Sequence, residues 1–454
     1  MSGADDDWLE AARGGQGPIY ERIVEALAAA VREGRLNPGD RLPAQRAAAG
    51  RLGVDLTTIT RAYSEARARG LVEGTVGRGT FVRARAEDDE AGFVDLSMNL
   101  PPPPLEVSLG ALIADTTADI LRHADPAVLM SYHPGLGTAG QRAAGARWLE
   151  PVLGRAPPDR LLVSPGAQAA LAAALSLTCK PGDAVVVEPL TYPGVLAAAR
   201  RLGLRLLACP ADEDGLRPDA FEALCAREAP SALYVVPAMQ NPTTRTMGVE
   251  RRRALADAAA AHGAWIIEDD PYSRLMDAPP PAIAALRPER TFHIATLAKC
   301  LSPGLRIAYL VCPPDRTGEA AEALRAMALM PCPLTAAVAS RWIREGAAER
   351  LLEAVKAEAR ARRALAGRLL PRAVGGPESL HVWLPLEDAR ACERLRLAAQ
   401  RRGLALVTAE AFAPDPAGAP PGARISLGGP SRREVLQRAL AALAEAVAGA
   451  PAIV

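Results

Sequence analysis

Lys299 lies in the stretch ATLAKCLSPGLR and is one of three lysines among the 53 lysines and arginines of the chain, the others being Lys180 and Lys356. An arginine supplies positive charge anywhere, but only a lysine amine condenses with an aldehyde to give an imine. In so lysine-poor a chain, a lysine in a distinctive setting is read as present for its amine. Upstream lie IIEDDPY, with Asp269, Asp270 and Tyr272, and MQNPTT, with Asn241. Together these groups suit an aldehyde cofactor carried on a heteroaromatic ring.

Such groups need a scaffold. From about Leu161 the sequence alternates strand-like and helix-like segments. The strand segments are RLLVSPG, DAVVVEP, LRLLACP, ALYVVPA, AWIIEDD, TFHIATL and RIAYLVCP. Most are continuous apolar runs, as expected of strands covered on both faces. The spacing predicts an α/β domain with a mostly parallel sheet. Asp269 then falls at the carboxyl end of a strand, where such folds place ligands. Gly166, Ala167 and Gln168 open a helix after LLVSP, and the free amides at a helix start suit phosphate. A long helical segment after about Ala336 leads into a smaller α+β portion with strands in SLHVWLP, LALVTAE and GARISLG. Ahead of all this, VDLSMNLPPPP is an extended arm, since its prolines forbid helix.

The N-terminal part follows another plan. Pro18 to about Leu36 is amphipathic, with Ile19, Ile23, Leu27, Ala30 and Val31 at helical spacing. NPGD is a turn, Gln45 to Leu52 a short helix, Gly53-Val54 a break, and Asp55 to Arg69 a second helix that Asp55 can cap. Gly70 stops it, and LVEGTVGRGTFV reads as a two-stranded hairpin. Helix, helix-break-helix and hairpin make a winged helix-turn-helix, whose second paired helix enters the DNA major groove. From Gln16 to Arg85 there are twelve arginines against seven acids, a net of +5, although the whole chain carries only +1.

A chain of 454 residues exceeds one ordinary core. The expected division is a winged helix-turn-helix at 16–85, a short charged linker at 86–92, and a cofactor domain at 93–454. Seven cysteines without a CxxC pair and five histidines without ligand spacing argue against a disulfide framework and against a metal site. The acidic start MSGADDDWLE is unlike a signal peptide, and no run approaches the roughly 20 apolar residues of a membrane span. A cytoplasmic location is expected.

Two resemblances sharpen this. Across Pro18 to Val82, GRLNPGDRLPAQR, LGV, TTITRAY, GLVEG and GRGTFV resemble the GntR family of regulators. That implies contacts to double-stranded DNA from Arg46, Thr58, Arg61 and the wing residue Arg78, with Leu56 and Thr57 at the start of the recognition helix. The family commonly has Ser-Arg where this chain has Asp55-Leu56, and an apolar residue there can touch a thymine methyl but cannot pair with guanine. Phe93 to Val454 resembles the fold-type I aminotransferases, and the order of the two resembles the MocR subfamily.

This resemblance implies pyridoxal 5'-phosphate bound to Lys299, with Asp269 (Asp270 being its rival) under the ring nitrogen. Tyr272 and Asn241 would meet the phenolic oxygen, and Tyr192 would stack on the ring. The phosphate would lie on Gly166, Ala167, Gln168, Thr296 and Arg306. Many relatives have serine where Ala298 stands, so one hydroxyl contact is missing. Tyr132, in SYHPGLG, would reach the phosphate of a partner subunit, making the site shared within a homodimer. Arg424 would bind the carboxylate of an amino acid, and Asn99 would close over it. The expected function is a pyridoxal-phosphate-dependent transcriptional regulator that senses the cofactor, an amino compound, or both. The alternative is a working aminotransferase with a vestigial DNA-binding head.

Overall fold

The computed structural model describes residues 7–14, 17–32, 35–36, 39–69, 71–75, 79–82, 93–133 and 137–448. The helix stop expected at Gly70 and the linker expected at 86–92 lie outside the described residues. The chain divides into two compact units, Met1–Gly92 and Phe93–Val454.

The first unit contains helices Asp7–Ala11, Ile19–Arg32, Gln45–Leu52 and Leu56–Ala68, followed by antiparallel strands Val72–Thr75 and Gly79–Val82. The helix predicted to reach Leu36 stops at Arg32. Leu36 turns back into the core, its N–H donating to the Ala30 carbonyl at 3.1 Å. Gly53, at φ +68°, takes the left-handed conformation that ends a helix. Asp55 starts the next helix by accepting from the Thr57 N–H at 2.8 Å. Two side-chain bonds fix the pair of helices: Thr60 donates to Gln45 at 2.9 Å, and the Tyr63 hydroxyl donates to the Pro43 carbonyl at 3.0 Å. The unit's core joins Ile23, Leu27, Ile59, Val72 and Val82 with Trp8 and Leu9 of the first helix. That helix lies in the acidic leader, for which the sequence predicts no element.

In the second unit, all seven strand segments enter one seven-stranded sheet. Its order is Leu161–Ser164, Ala308–Val311, Thr291–Thr296, Trp265–Asp270, Ala232–Val235, Ala184–Val187 and Arg205–Ala208. Ala308–Val311 is antiparallel to both neighbours, and the other pairings are parallel. Helices cover both faces, so Leu161–Ser164, Ala184–Val187 and Ala232–Val235 are buried throughout, whereas the far edge strand Arg205–Ala208 keeps exposed residues.

The smaller lobe is a three-stranded antiparallel sheet of His381–Pro385, Gly422–Ser426 and Val407–Thr408. The arm is tied to this lobe, because Val94–Asp95 pairs in parallel with Leu404–Ala405. The long helical segment is two helices, Pro333–Arg344 and Ala347–Leu369, separated at Gly346 with φ +76°. Among the described residues, no helix is long and apolar enough to cross a membrane.

Candidate functional site

The carboxyl ends of the central strands open into a cavity of about 440 Å³. Lys299, Asp269, Tyr272, Asn241, Tyr192, Thr296, Ala167, Arg424 and Asn99 all line it. Lys299 follows strand Thr291–Thr296, and its Nζ donates to the Asn99 carbonyl at 2.5 Å. Burial, helped by the nearby Arg424 charge, lowers its pKa to about 8.

Asp269 sits in the adjacent strand, in register with Ile294. Burial pushes its carboxyl up to about 6, against the opposing hydrogen bond that Tyr234 donates to Oδ2 at 2.7 Å. Strand alternation separates the two acids. Asp269 lines the cavity, whereas Asp270 accepts from the Ser273 N–H at 3.0 Å and closes the following turn.

Around this pair the polar groups are nearly all committed. Asn99 Nδ2 donates to the Tyr272 hydroxyl at 2.8 Å and lies 2.9 Å from Nδ1 of His381. Arg424 is buried over the Phe412 ring, donating from Nη1 to Asn241 Oδ1 at 2.8 Å and from Nη2 to the Ser97 carbonyl. Its Nε is buried without a hydrogen-bond partner.

At the other end, helix Ala167–Thr178 begins beside the cavity with no side-chain cap. Its N-cap Gly166 has φ +101°, and a Cβ there would stand 2.5 Å from Nη2 of Arg306. Arg306 itself holds a left-handed φ of +52° and donates to the Pro165 carbonyl at 3.5 Å. Thr296 Oγ1 accepts from the Ala298 N–H at 3.1 Å, so the residue in place of serine still contributes through its backbone. The Gln168 side chain bonds the Gly194 carbonyl at 2.9 Å, which leaves only its backbone to act at the cavity. Tyr132 does not line the cavity and is 79% exposed.

In the first unit, Arg46 is exposed on the first paired helix and Leu56 on the second. Asp55 points back to its helix, where the hydrogen bonds from Thr57 hold its pKa low, so it is not splayed outward. One of those bonds, 2.6 Å from the Thr57 hydroxyl, occupies the Thr57 side chain. Thr58 is half-buried, and Arg61 stacks on the Tyr20 ring at 3.9 Å. Arg78 lies outside the described residues.

Comparison with known proteins matches the family "Aminotransferase class I and II" over residues 102–442 and the "Bacterial regulatory proteins, gntR family" over residues 19–82. The uncharacterized HTH-type transcriptional regulator YdeF of Bacillus subtilis is 30% identical over 434 residues, 93% of either chain. The probable rhizopine catabolism regulatory protein MocR of Rhizobium meliloti is 30% identical over 66% of either chain. This chain belongs to the MocR subfamily of GntR regulators. Among solved structures, the α-aminoadipate aminotransferase of Thermus thermophilus superimposes with a TM-score of 0.71 at 27% identity, covering 85% of this chain and 98% of that one. The second unit is thus an aminotransferase fold, and that fold implies pyridoxal 5'-phosphate.

Three residues that support the lining of this MocR-type cavity escaped the sequence reading. Tyr234 is the lone aromatic of an aliphatic strand, and that oddity is its only signal. His381 is fully buried between Asn99 and the Gln240 carbonyl, and burial drives its pKa down to about 3, so it is neutral. Phe412 lies on a short loop helix with no motif around it. Asn99, expected only to close over a ligand, bridges Lys299, Tyr272 and His381.

Proposed function

We propose that the second unit binds pyridoxal 5'-phosphate in the Lys299 cavity, and that the cofactor and an amino acid together set how the first unit binds DNA. The reading rests chiefly on one observation: an amine of lowered pKa, a buried carboxyl and a buried guanidinium converge on a single cavity. Three features fit the cofactor and its amino-acid ligand. A helix start without a side-chain cap, beside Arg306, suits a phosphate. Gly166 leaves the space that a Cβ would fill. Arg424 Nε is buried and unpaired, as a carboxylate site requires.

When bound, pyridoxal 5'-phosphate supplies an aldehyde carbon and an electron-withdrawing ring. Lys299 would hold the aldehyde end and, once displaced by an incoming amine, take up a proton at Nζ. Asp269 would keep a proton on the ring nitrogen, with Tyr234 fixing which way its carboxylate faces. Asn241 gives its Oδ1 to Arg424 and so keeps its amide N–H for the phenolic oxygen. Tyr272 accepts from Asn99 and so keeps its own proton to donate there. Tyr192 would cover the ring. Thr296, Arg306 and the amides of Ala167 and Gln168 would hold the phosphate. The Thermus aminotransferase was solved with N-(5'-phosphopyridoxyl)-L-leucine, a cofactor joined to an amino acid, which supports an α-amino acid as the ligand that Arg424 would receive.

Arg46, Leu56, Thr58 and Arg61 would present the first unit to DNA, Arg46 on phosphate and the others nearer the bases. Binding of the purified protein to its own upstream intergenic DNA, followed by fluorescence anisotropy at two salt concentrations with and without cofactor and amino acids, tests the regulator. Selective binding that shifts with the small molecules is expected. Salt-sensitive binding without sequence preference in every state would overturn the reading. A second reading, a working aminotransferase, draws on the same unpaired Arg424 Nε, since an amino acid bound there can be a substrate as well as a signal. Turnover of amino donors by protein that fails the DNA test would establish it.

A further inference from the structure

A second and larger cavity, of about 680 Å³, lies between the sheet domain and the smaller lobe. It meets the Lys299 cavity only at the wall residue Val236. Its innermost polar group is Glu188, which follows strand Ala184–Val187 and is 3% exposed. Oε2 of Glu188 accepts from Gln240 Nε2 at 3.1 Å and from the Val236 N–H at 3.4 Å. Among the described residues, no donor reaches its other oxygen, Oε1. That oxygen faces the cavity, where a ligand can reach it.

The walls around that oxygen are built. The loop from Gln240 to Thr243 is flanked by two non-glycine residues with positive φ, Met239 at +42° and Thr244 at +65°. It is held by the Thr244 N–H on the Gln240 carbonyl at 2.6 Å and the Gln240 N–H on the Arg245 carbonyl at 2.8 Å. Strained backbone persists where the surroundings fix it. Met247 and Trp383 give the cavity apolar faces from opposite lobes. Glu213 adds a second acid, and Arg245, exposed, is the single basic residue of the lining.

We propose that this cavity is a second small-molecule site, selective for an organic amine cation with an apolar body, whose ammonium pairs with Glu188. The exposed Glu213 and Arg245 offset each other, so the choice of cation rests on Glu188, the acid buried at the base of the cavity, with Asp269 adding negative potential from behind the shared wall. Burial pushes the Glu188 carboxyl up to about 8, so an arriving ammonium would displace its proton. The apolar body would lie between Met247 and Trp383. This site takes no covalent chemistry and does not depend on the reading of the Lys299 cavity.

The test uses the full-length, cofactor-loaded protein and isothermal titration with N,N-dimethylphenethylamine. A tertiary amine forms no imine, so it cannot report on Lys299. Saturable binding of one equivalent is expected, with 2-phenylethanol binding at least about tenfold more weakly. Glu188→Gln should weaken the amine about tenfold or more. Because Glu188 also anchors the Gln240 loop, a second variant is needed. Val374→Trp changes a half-exposed residue at the rim and should block entry without touching that loop. No saturable binding at millimolar amine, equal binding of the alcohol, or undiminished binding in Val374→Trp would overturn the proposal.

Discussion

Burial shifts Lys299 and Asp269 in opposite directions, because it disfavours the charged form of each. For Lys299 the consequence is a pH profile. Condensation with an aldehyde needs the neutral amine, and with a pKa of about 8 that form gains as pH rises through 8 rather than through the usual 10.5. The rate at which cofactor absorbance appears on the stripped protein should rise about tenfold per pH unit below 8 and level off above it. A profile still climbing at pH 10 would show an ordinary, solvated lysine.

Arg424 carries a different prediction. Removing it with Arg424→Met should weaken amino acids about tenfold or more, since charge-assisted bonds are worth roughly 1.5–3 kcal/mol each. The matching amines without a carboxylate should be unaffected. Titrating both ligand types against the cofactor absorbance separates loss of carboxylate recognition from general damage.

Two structural elements meet at a conformation that few residues tolerate. Gly166 joins strand Leu161–Ser164 to helix Ala167–Thr178 at φ +101° and ψ 161°, a region that is essentially glycine-only. Gly166→Ala adds about 1–3 kcal/mol of backbone strain and puts a methyl group against the Arg306 guanidinium. Thermal stability and cofactor affinity should both fall, and phosphate-free pyridoxal should lose less affinity than the phosphate ester. Equal losses for the two would remove the phosphate role of this corner.

Elements of this kind were readable in advance. Strands buried on both faces are continuous apolar runs, and all seven runs became neighbours in one sheet. The Lys299, Asp269 and Asn241 segments carry local signatures. What stayed hidden depends on distant pairing. Asn99 meets Tyr272 across 173 residues and His381 across 282, and no local pattern encodes such a meeting. The helix Asp7–Ala11 was missed because a single turn with two large apolar residues has no period to read. Asp269, which the sequence already favoured over Asp270, is the one of these adjacent acids that the strand turns to the cavity, while Asp270 faces the following turn.

At the scale of the whole molecule, Tyr132 is the informative residue. It lies on a stretch that exposes unusually large apolar groups, with Val128 at 62% and Met130 at 55% exposure, and Leu105, just after the arm, is 69% exposed. Apolar side chains so placed suit a protein interface, and we propose that a second copy covers them, with Tyr132 reaching into that copy's phosphate corner. Mixed dimers can test this directly. Lys299→Ala disables the site of its own chain, whereas Tyr132→Phe would weaken the site of the partner. In a mixed dimer of the two variants, one site carries both defects and the other carries neither. Cofactor titration of isolated mixed dimers should therefore recover a class of sites with full affinity, one in each mixed dimer. Neither parent dimer contains such a site. If Tyr132 instead serves its own chain, every Lys-containing site in the mixture keeps the Tyr132→Phe defect, and no full-affinity class appears.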